Sequence, residues 1–312
     1  MDRRRFIART AAFSAIPFLA HAADETPESK VFMDYTQAQL DAAYTQGDWA
    51  PNAKALIDAY DTDSARVREK YPPQTLAYGA GDAETMDVFA PKEANGRPIV
   101  MFIHGGAWRS LSKSSVSAHA PLFVDNNVIY IAIDFNNLPN NTLPGMAEQC
   151  RRALMRIARV ASTFGGDPQK IYVAGHSSGA QLASVLLTTD WGSRGESSSI
   201  IRGGILLSGP YDLKPVMLSS RAKYVKMTDS ERDAMSAANG LDRLQAPVLV
   251  AWGSEESPEF KRQGRQFADA VKGREKLVDA MVLEGLNHFE VPNQLNRPDS
   301  ALAKAVLKMV TA

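Results

Sequence analysis

Cysteine is nearly absent: Cys150 is the single one in 312 residues. No intramolecular disulfide can form, and no cysteine cluster can hold a metal. Charge of one sign is not in excess either, with 35 Lys+Arg against 35 Asp+Glu. That balance argues against broad nucleic-acid binding, which needs a basic face. No run of 18 apolar residues occurs, so no ordinary membrane span is expected. There is no His-Glu-x-x-His and no phosphate loop. Gly79-Ala80-Gly81 continues as Asp82-Ala83-Glu84, which breaks a dinucleotide fingerprint. Ser110-Leu111-Ser112-Lys113 is a Ser-x-x-Lys, but neither Ser-Asp-Asn nor Lys-Thr-Gly accompanies it. Neither a metal nor a cofactor is called for.

What is present is core. Apolar residues make up 45% and charged residues 22%, which suits a folded chain of one large domain or two small ones at most. The first 22 residues stand apart. Arg3-Arg4-Arg5-Phe6-Ile7 precedes an apolar stretch from Ala11 to Ala20, and Ala20-His21-Ala22 is a small-x-small cleavage site. This is the pattern of a cleaved secretory signal, and its paired arginines resemble the twin-arginine type. The expectation is recognition by the twin-arginine export machinery, a bacterial periplasmic address, and no membrane anchor in the mature form. Removing residues 1–22 takes away four arginines and one aspartate and leaves a slightly acidic remainder.

Residues 23–73 read as an N-terminal arm with helical runs at 35–44, 53–60 and 64–70, ended by Pro72-Pro73. Residues 74–312 read as one α/β domain. Short β-like runs at 75–78 and 85–89 come first. Continuous apolar runs then recur at 99–103, 128–133, 171–174, 204–207, 248–252 and 280–283. Such runs indicate strands covered on both faces. Helical stretches at 146–162, 181–189, 258–272 and 300–310 alternate with them. The expected fold is a doubly wound, mostly parallel sheet with helices on both faces. Residues 213–240 lack strand character and are expected to form a small cap.

Gly175-His176-Ser177-Ser178-Gly179 matches Gly-x-Ser-x-Gly. The pattern alone is weak, but here it follows a strand and opens a helix, as a nucleophile elbow requires. His104-Gly105-Gly106-Ala107-Trp108 follows the strand at 99–103. Consecutive glycines let backbone amides approach a developing oxyanion. The expected oxyanion donors are Gly106, Ala107 and Ser178, with His104 bracing the loop. Trp108 and Tyr211 are expected to supply flat walls for a substrate. Of five histidines, only His288 lies after the last expected strand, where the base of such a triad arrives. Glu256, a few residues past the strand at 248–252, is the first candidate for the acid. Asp212 and Glu255 are the alternatives.

Together these motifs resemble the α/β-hydrolase superfamily, and more narrowly its kynurenine formamidase (arylformamidase) branch near the hormone-sensitive-lipase-like esterases. The resemblance covers about residues 35–310. It rests on Asp41-Ala42-Ala43-Tyr44, Tyr78-Gly79, Met86 to Pro91, His-Gly-Gly-x-Trp at 104–108, the Gly175–Gly179 elbow, Ser208 to Leu213 and Glu256 to Phe260. It implies a Ser177–His288–Glu256 triad, an acyl-enzyme, no metal and a small ester or formamide substrate. Members of that branch usually act in the cytosol, so the export-type N-terminus departs from the pattern.

Overall fold

The computed structural model describes residues 29–312; the expected signal segment, 1–22, and the start of the arm lie outside the described residues. The described chain opens on a two-stranded antiparallel ribbon, β1 (Lys30–Phe32) and β2 (Tyr35–Thr36). Thr36 then starts α1 (Gln37–Tyr44): its Oγ1 accepts from the Gln39 amide, and the Gln39 side chain accepts from the Thr36 amide. This reciprocal cap spends two donors that a helix start leaves unpaired.

The runs at 53–60 and 64–70 are not separate helices. They form one, α2 (Ala53–Lys70). Asp61 and Thr62, between the two runs, face solvent. The opposite face anchors the helix at four-residue spacing. The Tyr60 hydroxyl donates to the Phe289 carbonyl, Ser64 Oγ accepts from the Ala118 amide, and Arg68 pairs with buried Asp87. Tertiary contact thus carries a helix through weak helix formers.

The main sheet has eight strands: β3 (Gln74–Ala77), β4 (Thr85–Phe89), β5 (Arg97–Ile103), β6 (Ile129–Ile133), β7 (Gly166–His176), β8 (Gly203–Leu207), β9 (Val248–Gly253) and β10 (Leu277–Leu283). Their order is β10-β9-β8-β7-β5-β6-β4-β3. The pairs β3–β4 and β4–β6 are antiparallel, and the remaining pairs are parallel. The helices after the arm are α3 (Ala120–Val124), α4 (Leu143–Val160), α5 (Ser178–Leu187), α6 (Lys214–Leu218), α7 (Asp229–Met235), α8 (Pro258–Lys272) and α9 (Ala301–Val310).

Alternate residues of β5 divide the core into two layers. Ile99, Met101 and Ile103 pack with α4, α5 and α8, whereas Val100 and Phe102 pack with α3 and α9. The run at 280–283 departs from the rule that a continuous apolar strand is covered on both faces. β10 is the sheet edge, and Val278 and Val282 are exposed. Residues 213–240 form α6, α7 and short turns without strands. The loops after β5, β7, β8, β9 and β10 all leave the carboxyl edge of the sheet, where ligands of open α/β sheets gather.

Candidate active site

Ser177 sits on the turn between β7 and α5 with φ 56° and ψ −123°, a conformation that costs a non-glycine residue about 1–3 kcal/mol. The surroundings hold it there. Its amide donates to the Leu207 carbonyl on β8 at 2.8 Å, and its carbonyl accepts from the Gln181 amide. Gly179 lets the turn close, because a Cβ there would lie 2.1 Å from the Ile103 carbonyl oxygen.

The loop after β10 brings His288 to this turn. Its Nε2 lies 2.9 Å from Ser177 Oγ, and its Nδ1 lies 3.0 Å from Glu256 Oε2. Glu256 is fully buried, and its other oxygen accepts from Ser208 Oγ at 2.5 Å and from the Gly253 amide at 2.7 Å. An ionised carboxylate only accepts, so Nδ1 carries the proton and Nε2 is left to accept from the serine. The alternatives point elsewhere. Asp212 accepts from the Lys214 amide, and exposed Glu255 accepts from Ser254.

The histidine loop is braced on three sides. His176 Nε2 donates to the His288 carbonyl at 2.9 Å, and Tyr60 from the arm donates to the Phe289 carbonyl at 2.6 Å. Asn287 donates to Asn52, also from the arm. Burial, and next the neighbouring His288, hold the His176 pKa well below its ordinary value, so this brace is a neutral imidazole.

The loop after β5 passes beside Ser177. His104 is buried, stacks on Phe135 at 4.3 Å and contacts the Gly105 carbonyl through Nδ1, which fits a bracing role. Gly106 has φ 100°, and a Cβ there would meet the Ser110 carbonyl oxygen at 2.0 Å. Gly106 and Ala107 line the pocket above Ser177. Among the described residues, the amides of Gly106, Ala107 and Ser178 donate to no protein acceptor. Ser178 is the first residue of α5, where helix amides have no internal partner. Three unspent donors therefore surround the serine turn.

Two expectations are corrected. Trp108 is 1% exposed and does not line the pocket; its Nε1 donates to Gln181 Oε1 at 3.1 Å inside the core. Its left-handed φ of 62° carries the chain down beside α5. Tyr211 is equally buried and stacks on Phe267 at 4.1 Å, with its hydroxyl accepting from the Gly209 amide. Instead of forming flat walls, both rings turn inward to fill space between the sheet and its helices.

The actual walls come from elsewhere. A cavity of about 340 Å³ opens over Ser177 and His288. Its sides include Tyr44, Ile57 and Tyr60 from the arm, Leu111, Phe289, and Arg221 and Tyr224 from the 213–240 segment. The helical arm thus forms part of the site, which its periodicity alone did not reveal. Arg221 is the other residue the sequence did not expose. It is one of five basic residues, with Lys214, Lys223, Lys226 and Arg232, in a segment without a motif.

The BD-FAE family model matches residues 86–203 of this chain. The kynurenine formamidase of Danio rerio is 29% identical over 285 residues, covering 87% of this chain and 96% of that protein. A crystal structure from Silicibacter sp. TM1040 superposes with a TM-score of 0.75 at 25% identity, covering 88% of this chain and 99% of the other. The Pyrobaculum calidifontis esterase shares the fold, with a TM-score of 0.67 at 18% identity over 86% of this chain and 97% of the other. The chain matches the BD-FAE family model over residues 86–203 and has the α/β-hydrolase fold, with kynurenine formamidases among its relatives and esterases among its structural neighbours.

Proposed function

We propose that this chain is a serine hydrolase that cleaves small carboxylic esters or aryl formamides through an acyl-enzyme, with Ser177, His288 and Glu256 as the catalytic residues. The observation that carries the proposal is the unbroken chain of contacts from Ser177 Oγ through His288 to Glu256. Serine is a weak nucleophile at its own pKa, so the proton must leave as the bond forms. His288 Nε2 takes it while Ser177 Oγ attacks the carbonyl carbon. Glu256 fixes the tautomer beforehand and stabilises the imidazolium afterwards. The carbonyl oxygen becomes an oxyanion, and the amides of Gly106, Ala107 and Ser178 are placed to receive it. Such donors typically contribute about 3–4 kcal/mol each. As the leaving alkoxide or amine departs, His288 returns the proton. Water then repeats the sequence on the acyl-enzyme and releases the acid.

The formamide half of the proposal draws on the Danio rerio relative, whose name is kynurenine formamidase. The ester half draws on the esterases of the same fold. Purified protein assayed in parallel on p-nitrophenyl acetate and N-formylkynurenine is expected to cleave the first readily and the second more slowly. Ser177→Ala is expected to lower both rates by about 10⁴–10⁶-fold. Retention of more than a tenth of either activity would refute the assignment of the nucleophile.

The N-terminal segment supports a second part of the reading. Arg3-Arg4-Arg5-Phe6-Ile7, with the apolar stretch and Ala20-His21-Ala22, is read as a twin-arginine-type signal that sends the chain to a bacterial periplasm. Replacing Arg3-Arg4 by Lys-Lys is expected to leave precursor in the cytoplasm. Unchanged export would overturn that reading.

A further inference from the structure

The base of the triad hangs from a lightly supported part of the sheet. His288 follows β10, the edge strand, which pairs with β9 and leaves its other side open. Its backbone is fixed instead from outside the sheet, at three consecutive residues. The His288 carbonyl accepts from His176 Nε2, and the Phe289 carbonyl accepts from the Tyr60 hydroxyl at 2.6 Å. The Asn287 side chain donates to Asn52 Oδ1 at 2.8 Å. His176 belongs to the serine turn itself. Tyr60 lies in α2 and Asn52 at its N-terminal cap, so both come from the arm.

These arm contacts form a fixed joint. Glu290 accepts from Asn52 Nδ2 through Oε1 and from the Asn287 amide through Oε2. Asn287 Oδ1 accepts in turn from the Phe289 amide. A carboxylate only accepts and a backbone amide only donates, so each asparagine is held in a single orientation. Asn52 occupies the N-cap position of α2, where asparagine ordinarily accepts from the helix's own amides. Its side chain does not cap α2 and is spent on the histidine loop. Burial pushes the Tyr60 pKa up, so its hydroxyl stays a donor to Phe289. From this joint the 18 residues of α2 run for about 27 Å. Further along, Ser64 accepts from the Ala118 amide and Arg68 donates to Ser117. Both partners lie in the turn at Lys113–His119, which follows the oxyanion loop. One helix thus holds the loop that carries the base and the segment that continues the oxyanion loop.

Resting on the hydrolase reading above, we propose that α2 is a strut between the two halves of the site, with Tyr60 and Asn52 as positioning residues for His288. Their bonds act on the backbone beside the base and keep its Nε2 at 2.9 Å from Ser177 Oγ. A misplacement of about 1 Å can cost about 10²-fold in rate, so a loosened loop is felt in turnover. Tyr60 then has two separable roles: its ring lines the pocket, and its hydroxyl places the base.

The test is p-nitrophenyl acetate hydrolysis by Tyr60→Phe and Asn52→Ala, with active sites counted by the completed burst from diethyl p-nitrophenyl phosphate. Loss of folded protein lowers the burst but not kcat per counted site, whereas a misplaced base lowers kcat per site. His288 serves acylation and deacylation alike, so both slow together and KM holds. Each variant is expected to lose about 10-fold in kcat per site, with KM within about twofold of wild type. A loss of less than about threefold in either folded variant, or a loss carried by KM, overturns the proposal. Asn52 is exposed, so Asn52→Ala decides the matter even where Tyr60→Phe fails to fold. Hydrogen exchange of the 287–291 segment is expected to quicken by about tenfold in Asn52→Ala, and unchanged exchange likewise overturns the strut. That measurement needs no turnover. A wild-type protein without a burst, with the quickened exchange intact in the variant, removes the hydrolase reading and leaves the arm's hold on the loop standing.

Discussion

Glu256→Gln changes one atom and separates the roles within the triad. In the wild type, Oε1 accepts from Ser208 Oγ and the Gly253 amide, and Oε2 accepts from His288 Nδ1. A glutamine has only one oxygen to share. Placed at the Oε1 position, it keeps Gly253 satisfied and turns its NH₂ toward Nδ1. The imidazole must then carry its proton on Nε2 and cannot accept from Ser177. Flipping the amide restores the correct tautomer but sets NH₂ against the buried Gly253 N–H. Ser208 can rotate its hydroxyl to accept, whereas a backbone amide cannot, and an unpaired buried donor costs about 1–3 kcal/mol. The competent orientation is therefore a minor one, and even there the imidazolium loses its charged partner. A wholly wrong tautomer costs about 10⁴-fold, so kcat should fall by about 10²–10⁴-fold. The assay is steady-state hydrolysis of p-nitrophenyl acetate, with thermal unfolding as a control for the fold. Asp212→Asn, at a carboxylate that only caps Lys214, should stay within a few-fold of wild type. If Glu256→Gln keeps more than a tenth of the activity, or if Asp212→Asn is the more damaging change, the triad described above is wrong.

Acetate and butyrate aryl esters should be cleaved far faster than esters of ten or more carbons, since the cavity holds only about 340 Å³ and Ala107 stands in its wall; a preference for long chains in a chain-length series would contradict this. Trp108→Phe should cost about 2–3 kcal/mol in chemical denaturation, because it strands buried Gln181 Oε1, and should leave the KM for short esters little changed. A large rise in KM without loss of stability would return Trp108 to the pocket. His119 is buried against Asn296, and burial lowers its pKa from 6.5 to about 4. Between those values the unfolded chain binds more protons, so His119 favours the folded state above pH 6.5 and that contribution fades as pH falls toward 4. The loss should amount to about 3 kcal/mol. Denaturant titrations across that window should show a shallower decline in His119→Gln, and an unchanged slope would refute the linkage.

The sheet was legible because parallel strands covered on both faces must be apolar throughout. The elbow was legible because a serine between glycines, after a strand and before a helix, has few other uses. His288 followed from its place after the last strand. What stayed hidden depended on where a side chain turns after a strand ends. Trp108 and Tyr211 looked like walls, and only the position of Gln181 and Phe267 shows that they are core. The edge position of β10 was equally hidden, since its composition resembles that of a central strand. The arm's share in the site was invisible for another reason. Tyr44, Ile57 and Tyr60 sit at helix positions that satisfy an ordinary amphipathic pattern, and nothing local says that the partner surface is a pocket. Arg221 gave no signal at all, because nothing local sets it apart from Lys223 and Lys226 in the same segment.

The most direct test of the triad is covalent. The purified protein is mixed with diethyl p-nitrophenyl phosphate, and the release of p-nitrophenolate is followed while the modified peptide is located by mass spectrometry. A Ser177 nucleophile gives a burst of a single equivalent per chain, a diethylphosphoryl adduct on Ser177 within the Gly175–Gly179 turn, and no burst from Ser177→Ala. Absence of a burst from the wild-type protein, or an adduct on any other residue, would contradict it.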